Sequence, residues 1–201
     1  FGTAIAFSAG GALYYLLTLG MPAVFALCIA ELVLVMVLSA RLGKMGIAGA
    51  RGLFFAYAIL NGVTFSAVFF AYDVQILLSV FALTALYFGA LAAYGWLTKR
   101  DLSGLGTILG FSVLFLLVFW VLSMFLPLGA FERIICFIGL AVFMGCTAYD
   151  TQRIKHLHAE YGEDYEMSKK ASIFAALQLY LDFINIFLYI LRLLGRRSSS
   201  N

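Results

Sequence analysis

Seven apolar runs constrain this chain more than anything else in it: 2–19, 23–40, 53–72, 76–97, 105–126, 134–150 and 173–194. A helix rises about 1.5 Å per residue, so crossing the ~30 Å hydrocarbon layer takes roughly 20 apolar residues. In lipid every backbone N–H and C=O must be paired within the protein, which leaves helices or a closed barrel. Barrel strands would be about ten residues long and alternate in polarity, and these runs do neither. The sequence therefore predicts an all-α integral membrane protein with seven transmembrane helices. Composition agrees: 64% of residues are hydrophobic and 11% charged, whereas a soluble domain carries about 25% charged. Such hydrophobicity also excludes disorder.

The breaks between runs are short. Pro22 divides the first two; Arg41, Lys44 and Arg51, with Gly43, Gly46 and Gly49 among them, divide the second and third. Asp73 and Gln75, then Lys99, Arg100 and Asp101, then the stretch from Pro127 to Arg133 mark the next three. Only 153–170 is long and polar, and it is too short for a domain, so 1–201 reads as a single transmembrane domain. Phe1 is not expected to be the native start, and the first run, with no charged preface, reads as a span and not a cleaved leader. Cys28, Cys136 and Cys146 lie inside apolar runs and read as buried thiols. His156 and His158 alternate in a polar stretch and read as solvated residues, without zinc-site spacing. Small residues one turn apart, Gly106 with Gly110 and Gly62 with Ser66, would let helices pack closely.

Lysine and arginine in short loops set orientation. The second, fourth and sixth loops hold Arg41, Lys44, Arg51, Lys99, Arg100, Arg153, Lys155, Lys169 and Lys170; the odd loops hold only Arg133. The N-terminus is therefore expected in the cytoplasm and the C-terminus outside. Arg192, Arg196 and Arg197 oppose that last placement, and a re-entrant final segment would remove the conflict.

Ionisable residues inside apolar runs are costly and mark pathways, relays or pairs. Glu31, Asp150 and Asp182 are of this kind. Gln178, Asp182, Asn185, Tyr189, Arg192 and Arg196 are spaced 4, 3, 4, 3 and 4 residues apart. At 100° per residue they fall within about an 80° arc. A polar stripe on an apolar helix has to face protein or water. A hydrogen-bonded seam would explain Gln178 and Asn185, but a carboxylate is expensive glue. If the preceding helix continues to about His158, Asp150 and Asp182 lie at matching depths; pairing of Asp150 with Arg153, three residues on, is the alternative.

Ala148, Tyr149, Asp150, Thr151, Gln152, Arg153, Ile154 and Lys155, followed by Leu179, Tyr180, Leu181, Asp182, Phe183, Ile184, Asn185, Ile186 and Phe187, resemble the closing signature of the Bax inhibitor family of transmembrane proteins. Glu31 in the second run and Tyr57, Asn61 and Gly62 in the third are similar too. The resemblance, to a bacterial-type member, covers essentially the whole chain. It implies six helices surrounding a central seventh. It also implies a pH-sensitive calcium leak in which Asp150 and Asp182 share a proton and an arginine near the cytoplasmic mouth latches the pore. Arg41 is the candidate latch, although Leu42 and Gly43 interrupt the basic cluster found in some relatives.

The implied chemistry is reasonable. Two carboxylates in a poorly solvated place cannot both ionise cheaply, so they titrate as a unit. Protonated, the pair can hold two helices together; ionised, it repels itself and attracts a divalent cation. Calcium takes 6–8 oxygens, so Asp150 and Asp182 with Asn185, carbonyls and water would form a weak site, suited to an ion that must leave again. Glu31, Asn61 and Gln178 are expected to support this pathway. The competing reading is a non-transporting interaction protein that regulates a membrane protease or cell-death partners. No enzyme is expected, since the spans hold no histidine for a metal triad or a nucleophile's base. A proton-coupled transporter stays open. No cofactor and no nucleic-acid partner are expected; calcium, protons, lipid and a membrane-protein partner are. A compact chain with almost no tails fits a bacterial inner membrane, with an endomembrane as the alternative.

Overall fold

The computed structural model describes residues 21–41, 44–123, 125–161 and 164–194. Every element among them is helical: α1 (Met21–Arg41), α2 (Ile47–Ala71), α3 (Val74–Leu97), α4 (Leu105–Ser123), a 3-10 turn (Gly129–Phe131), α5 (Glu132–Tyr161) and α6 (Tyr165–Leu194). Five helical segments are long and apolar enough to cross a membrane: Ile47–Ser66, Val74–Leu97, Leu105–Ser123, Gly129–Ala159 and Glu166–Leu194. The chain is thus an all-α integral membrane protein. Of the seven expected spans, 2–19 lies outside the described residues, and 23–40, which coincides with α1, is not among the five.

The helices stop where the chain offers them no further partner. Tyr72 leaves α2 with extended backbone (φ −132°, ψ 149°), its N–H still donating to Val68 O at 3.2 Å. In the turn before α4, Asp101 Oδ1 accepts the Ser103 N–H at 2.9 Å, and that bond holds the exposed Asp101 carboxyl below the usual carboxylate range.

The expected limits 134–150 and 173–194 are corrected to Glu132–Tyr161 and Tyr165–Leu194. The polar stretch 153–170 is therefore mostly two helix ends, with His156 and His158 exposed on α5. Hydropathy marks only the part of a helix that meets lipid. Outside it, Lys, Arg and Glu propagate a helix well. Asp164 then caps α6: its Oδ1 accepts the N–H groups of Glu166 and Met167, both at 3.0 Å. Likewise Arg51, read as a loop residue, lies within α2.

The described residues fall into two compact units, one within 21–77 and 164–174, the other within 78–161 and 175–194. In the first, α1 packs on α2. In the second, α6 is touched by every other helix of that unit. Phe183 meets Phe81 and Phe88 of α3 edge-on, with ring centroids 5.4 and 5.5 Å apart. Tyr189 lies 5.9 Å from the Phe143 ring of α5, and the Arg192 guanidinium sits 3.7 Å above Trp120 of α4. Of the five spans, the last buries the largest share of its residues, 39%, and α4 the smallest, 6%. On α4 only Leu116 is buried, so its Ile108, Phe111, Leu114 and Phe115 face outward, as a lipid-facing helix requires.

Small residues set the close crossings, though not mainly those read from the sequence. Gly106 does face another helix, where a Cβ would come 2.6 Å from the Tyr149 hydroxyl. Gly110 has nothing within 4 Å. Gly95 lies against the Ala148 backbone and Gly139 against the Tyr189 ring.

Candidate site: a buried aspartate pair

Asp150 lies on α5 and Asp182 on α6, in the same compact unit, 8% and 4% exposed respectively. Their carboxyl groups come within side-chain hydrogen-bonding reach of one another. If both are ionised, neither offers a donor, and Asp182 Oδ2 is then a buried oxygen with no hydrogen-bond partner among the described residues. A buried, unsatisfied carboxylate oxygen is costly. One proton held between the two groups supplies the missing donor.

The surroundings do little to relieve the pair. Thr147 and Thr151 are buried beside Asp150, but their hydroxyls donate back into α5, to Phe143 O at 2.9 Å and Thr147 O at 2.7 Å. Asn185, one turn from Asp182, donates its amide to Leu181 O at 2.8 Å. Gln178 is half-buried on the same stripe. The Cys146 thiol lies close enough to both aspartates to sense their charge, and Arg153 acts on Asp150 from an exposed position. Cys136 and Cys146 are buried and free, as their apolar flanks predict.

Among the described residues no cluster of three or more His, Cys, Asp or Glu could hold a metal ion. A calcium ion at the pair would have two protein carboxylates and would need Asn185 Oδ1, carbonyls or water for the rest of its shell.

The other candidate residues divide between the two units. Glu31 on α1 accepts the Thr64 hydroxyl of α2 at 2.6 Å and also bonds Asn61. The Asn61 amide reaches the Tyr57 hydroxyl at 3.4 Å. Glu31 and Asn61 are thus brought together, with Thr64, one turn beyond Asn61, as the partner sequence reasoning missed. Arg41 is exposed at the end of α1, in that same first unit.

A second missed residue is Gln152, also buried. Its Nε2 donates to Arg100 O and its Oε1 accepts the Leu102 N–H, both at 2.8 Å. Gln152 therefore clamps the turn between α3 and α4 to α5, two residues from Asp150. Lys155 adds a bond to Trp96 O at 3.2 Å. Gln152 lies inside the quoted motif, but a glutamine's spacing does not reveal which loop it will meet.

The sequence is similar to those of known proteins. Residues 1–199 match the family described as inhibitor of apoptosis-promoting Bax1. The inner membrane protein YbhL of Escherichia coli is 41% identical over 172 residues, covering 85% of this chain and 74% of YbhL. A protein of Deinococcus radiodurans is 43% identical over 167 residues, 83% of this chain and 72% of that protein. Protein RP147 of Rickettsia prowazekii is 38% identical over 155 residues, 77% of this chain and 65% of its own length. With the match running through both aspartate motifs and nearly the full length, the chain belongs to the Bax inhibitor family of integral membrane proteins.

Proposed function

We propose that the chain is a pH-sensitive calcium leak channel of a bacterial inner membrane, gated by Asp150 and Asp182. The observation that carries this reading is the reach between two buried carboxyl groups, one of them with an oxygen that has no donor among the described residues. With one proton shared, the pair ties α5 to α6. When the proton leaves, like charges in a poorly solvated place repel, and the pair becomes attractive to a divalent cation. Arg41 is the proposed cytoplasmic latch, with the N-terminus on that side. Seven helices, six around the C-terminal one, are the proposed full architecture. The burial of α6 and its contacts with α3, α4 and α5 support a central place for it. The inner membrane location of YbhL supports the compartment. Neither an enzymatic reaction nor a resident cofactor is part of this reading.

Calcium flux into liposomes, measured across pH for wild type, Asp150→Asn, Asp182→Asn and the double variant, tests the gate. Each single variant is expected to lose the pH response near neutrality, because the remaining carboxyl has no partner with which to share a proton. The double variant should add little. Unchanged pH profiles in folded single variants would refute the pair as the gate. The second reading, a non-transporting protein that regulates a membrane protease or cell-death partners, is favoured by the family's description as an inhibitor. Absence of calcium flux from folded wild-type protein at every pH would select it.

A further inference from the structure

At the opposite end of the second unit from the Gln152 clamp, α3, α5 and α6 leave an open groove of about 620 Å³. Arg133, near the start of α5, Leu193 and Leu194, at the end of α6, and Leu83, Tyr87 and Leu140 line it, beside the buried Ile190. The Tyr87 hydroxyl donates to Met144 Sδ at 3.2 Å, tying α3 to α5. Along α5 the lining runs from Arg133 to Leu140, seven residues, roughly 10 Å of helix rise, which fits within one leaflet, half of the ~30 Å hydrocarbon layer.

Lining and charge decide what fits: the Leu, Phe, Ile and Tyr side chains of the groove suit an acyl chain. Arg133 is the charged residue of the lining, and it is exposed. Glu132 beside it is also exposed, and Arg192, stacked on Trp120, adds a second positive charge at this end of α6. The guanidinium fork of arginine suits a phosphate, which it can hold bidentately.

We propose that this groove is a binding site for one anionic phospholipid, with an acyl chain lying along α3, α5 and α6 and its phosphate on Arg133. The site is independent of the aspartate pair and of the leak it is proposed to gate.

Native mass spectrometry of the full chain, released from micelles containing phosphatidylglycerol or phosphatidylcholine of identical chains, tests it. Wild type is expected to retain phosphatidylglycerol in preference. Arg133→Gln should lower that retention about fivefold and narrow the preference over phosphatidylcholine, while Arg133→Lys keeps part of the preference. Leu193→Trp, which fills the groove, should lower retention of both lipids. Equal retention of the two lipids by wild type overturns the proposal even if no variant folds. So does an Arg133→Gln protein that holds phosphatidylglycerol as wild type does, or displacement of the lipid by inorganic phosphate alone.

Discussion

Replacing Gly95 by alanine probes the crossing that carries Asp150. A Cβ built there meets the Ala148 carbonyl oxygen in hard overlap, with the carbonyl carbon and Cα both at 3.0 Å. All three are backbone atoms, so no side chain can rotate away; α3 and α5 would have to separate. Overpacking of this kind costs about 1–3 kcal/mol. Alanine's better helix propensity returns at most about 1 kcal/mol. With the full propensity gain the expected net loss is then between zero and about 2 kcal/mol, or a fall in melting midpoint of up to roughly 8 °C for a chain of this size. Trp96 is the next residue, so its fluorescence during thermal unfolding in micelles reports the crossing directly. Gly89→Ala is the control, because it lies on the same helix with nothing within 4 Å. If Gly95→Ala melts with or above Gly89→Ala, the close α3–α5 contact is not a feature of the folded protein. If it melts lower, the displaced Ala148 should also disturb Asp150, two residues on, and with it the proposed pH response of flux.

Gln152→Ala removes both bonds that hold the turn at Arg100 and Leu102; a loss of about 1–2 kcal/mol should speed hydrogen exchange at the Leu102 amide, and unchanged exchange would mean water replaces the clamp. Glu31→Leu strips Thr64 and Asn61 of their shared acceptor and should cost about 1–3 kcal/mol in thermal unfolding. Asp73→Leu, at an exposed position, should cost little, and equal effects of the two would show that the Glu31 cluster contributes nothing.

Much of the fold could be read without coordinates. Hydropathy placed α3 within two residues at its start and matched its end at Leu97. It failed at α5 and α6, where a lipid-based signal says nothing about turns that continue into water. The Asp164 cap and the helix-tolerant Lys, Arg and Glu residues explain those longer ends. The polar stripe on the last helix was also legible, because one helix's geometry determines it. Asp182 and Tyr189 are buried on that stripe, Gln178 and Asn185 are half-buried, and Arg192 at its end is exposed against an indole. The stripe therefore turns from packed interior to surface along its length, which periodicity alone does not reveal.

Sequence by itself determined that this chain is built of membrane helices and which of them carry carboxylates. In lipid each helix must satisfy its own backbone, so local composition is enough to specify it. Family membership followed from local motifs in the same way. Which side chains meet across helices depended on crossings that no single segment encodes. The reach between Asp150 and Asp182, the Gln152 clamp, the Glu31–Thr64 bond and the groove at Arg133 all arise from such crossings. The crossings, in turn, rest on where a side chain is missing, at Gly95, Gly106 and Gly139. A glycine that lets two helices touch and one that faces open lipid, as Gly89 and Gly110 do with nothing within 4 Å, are the same letter; only packing in three dimensions separates them.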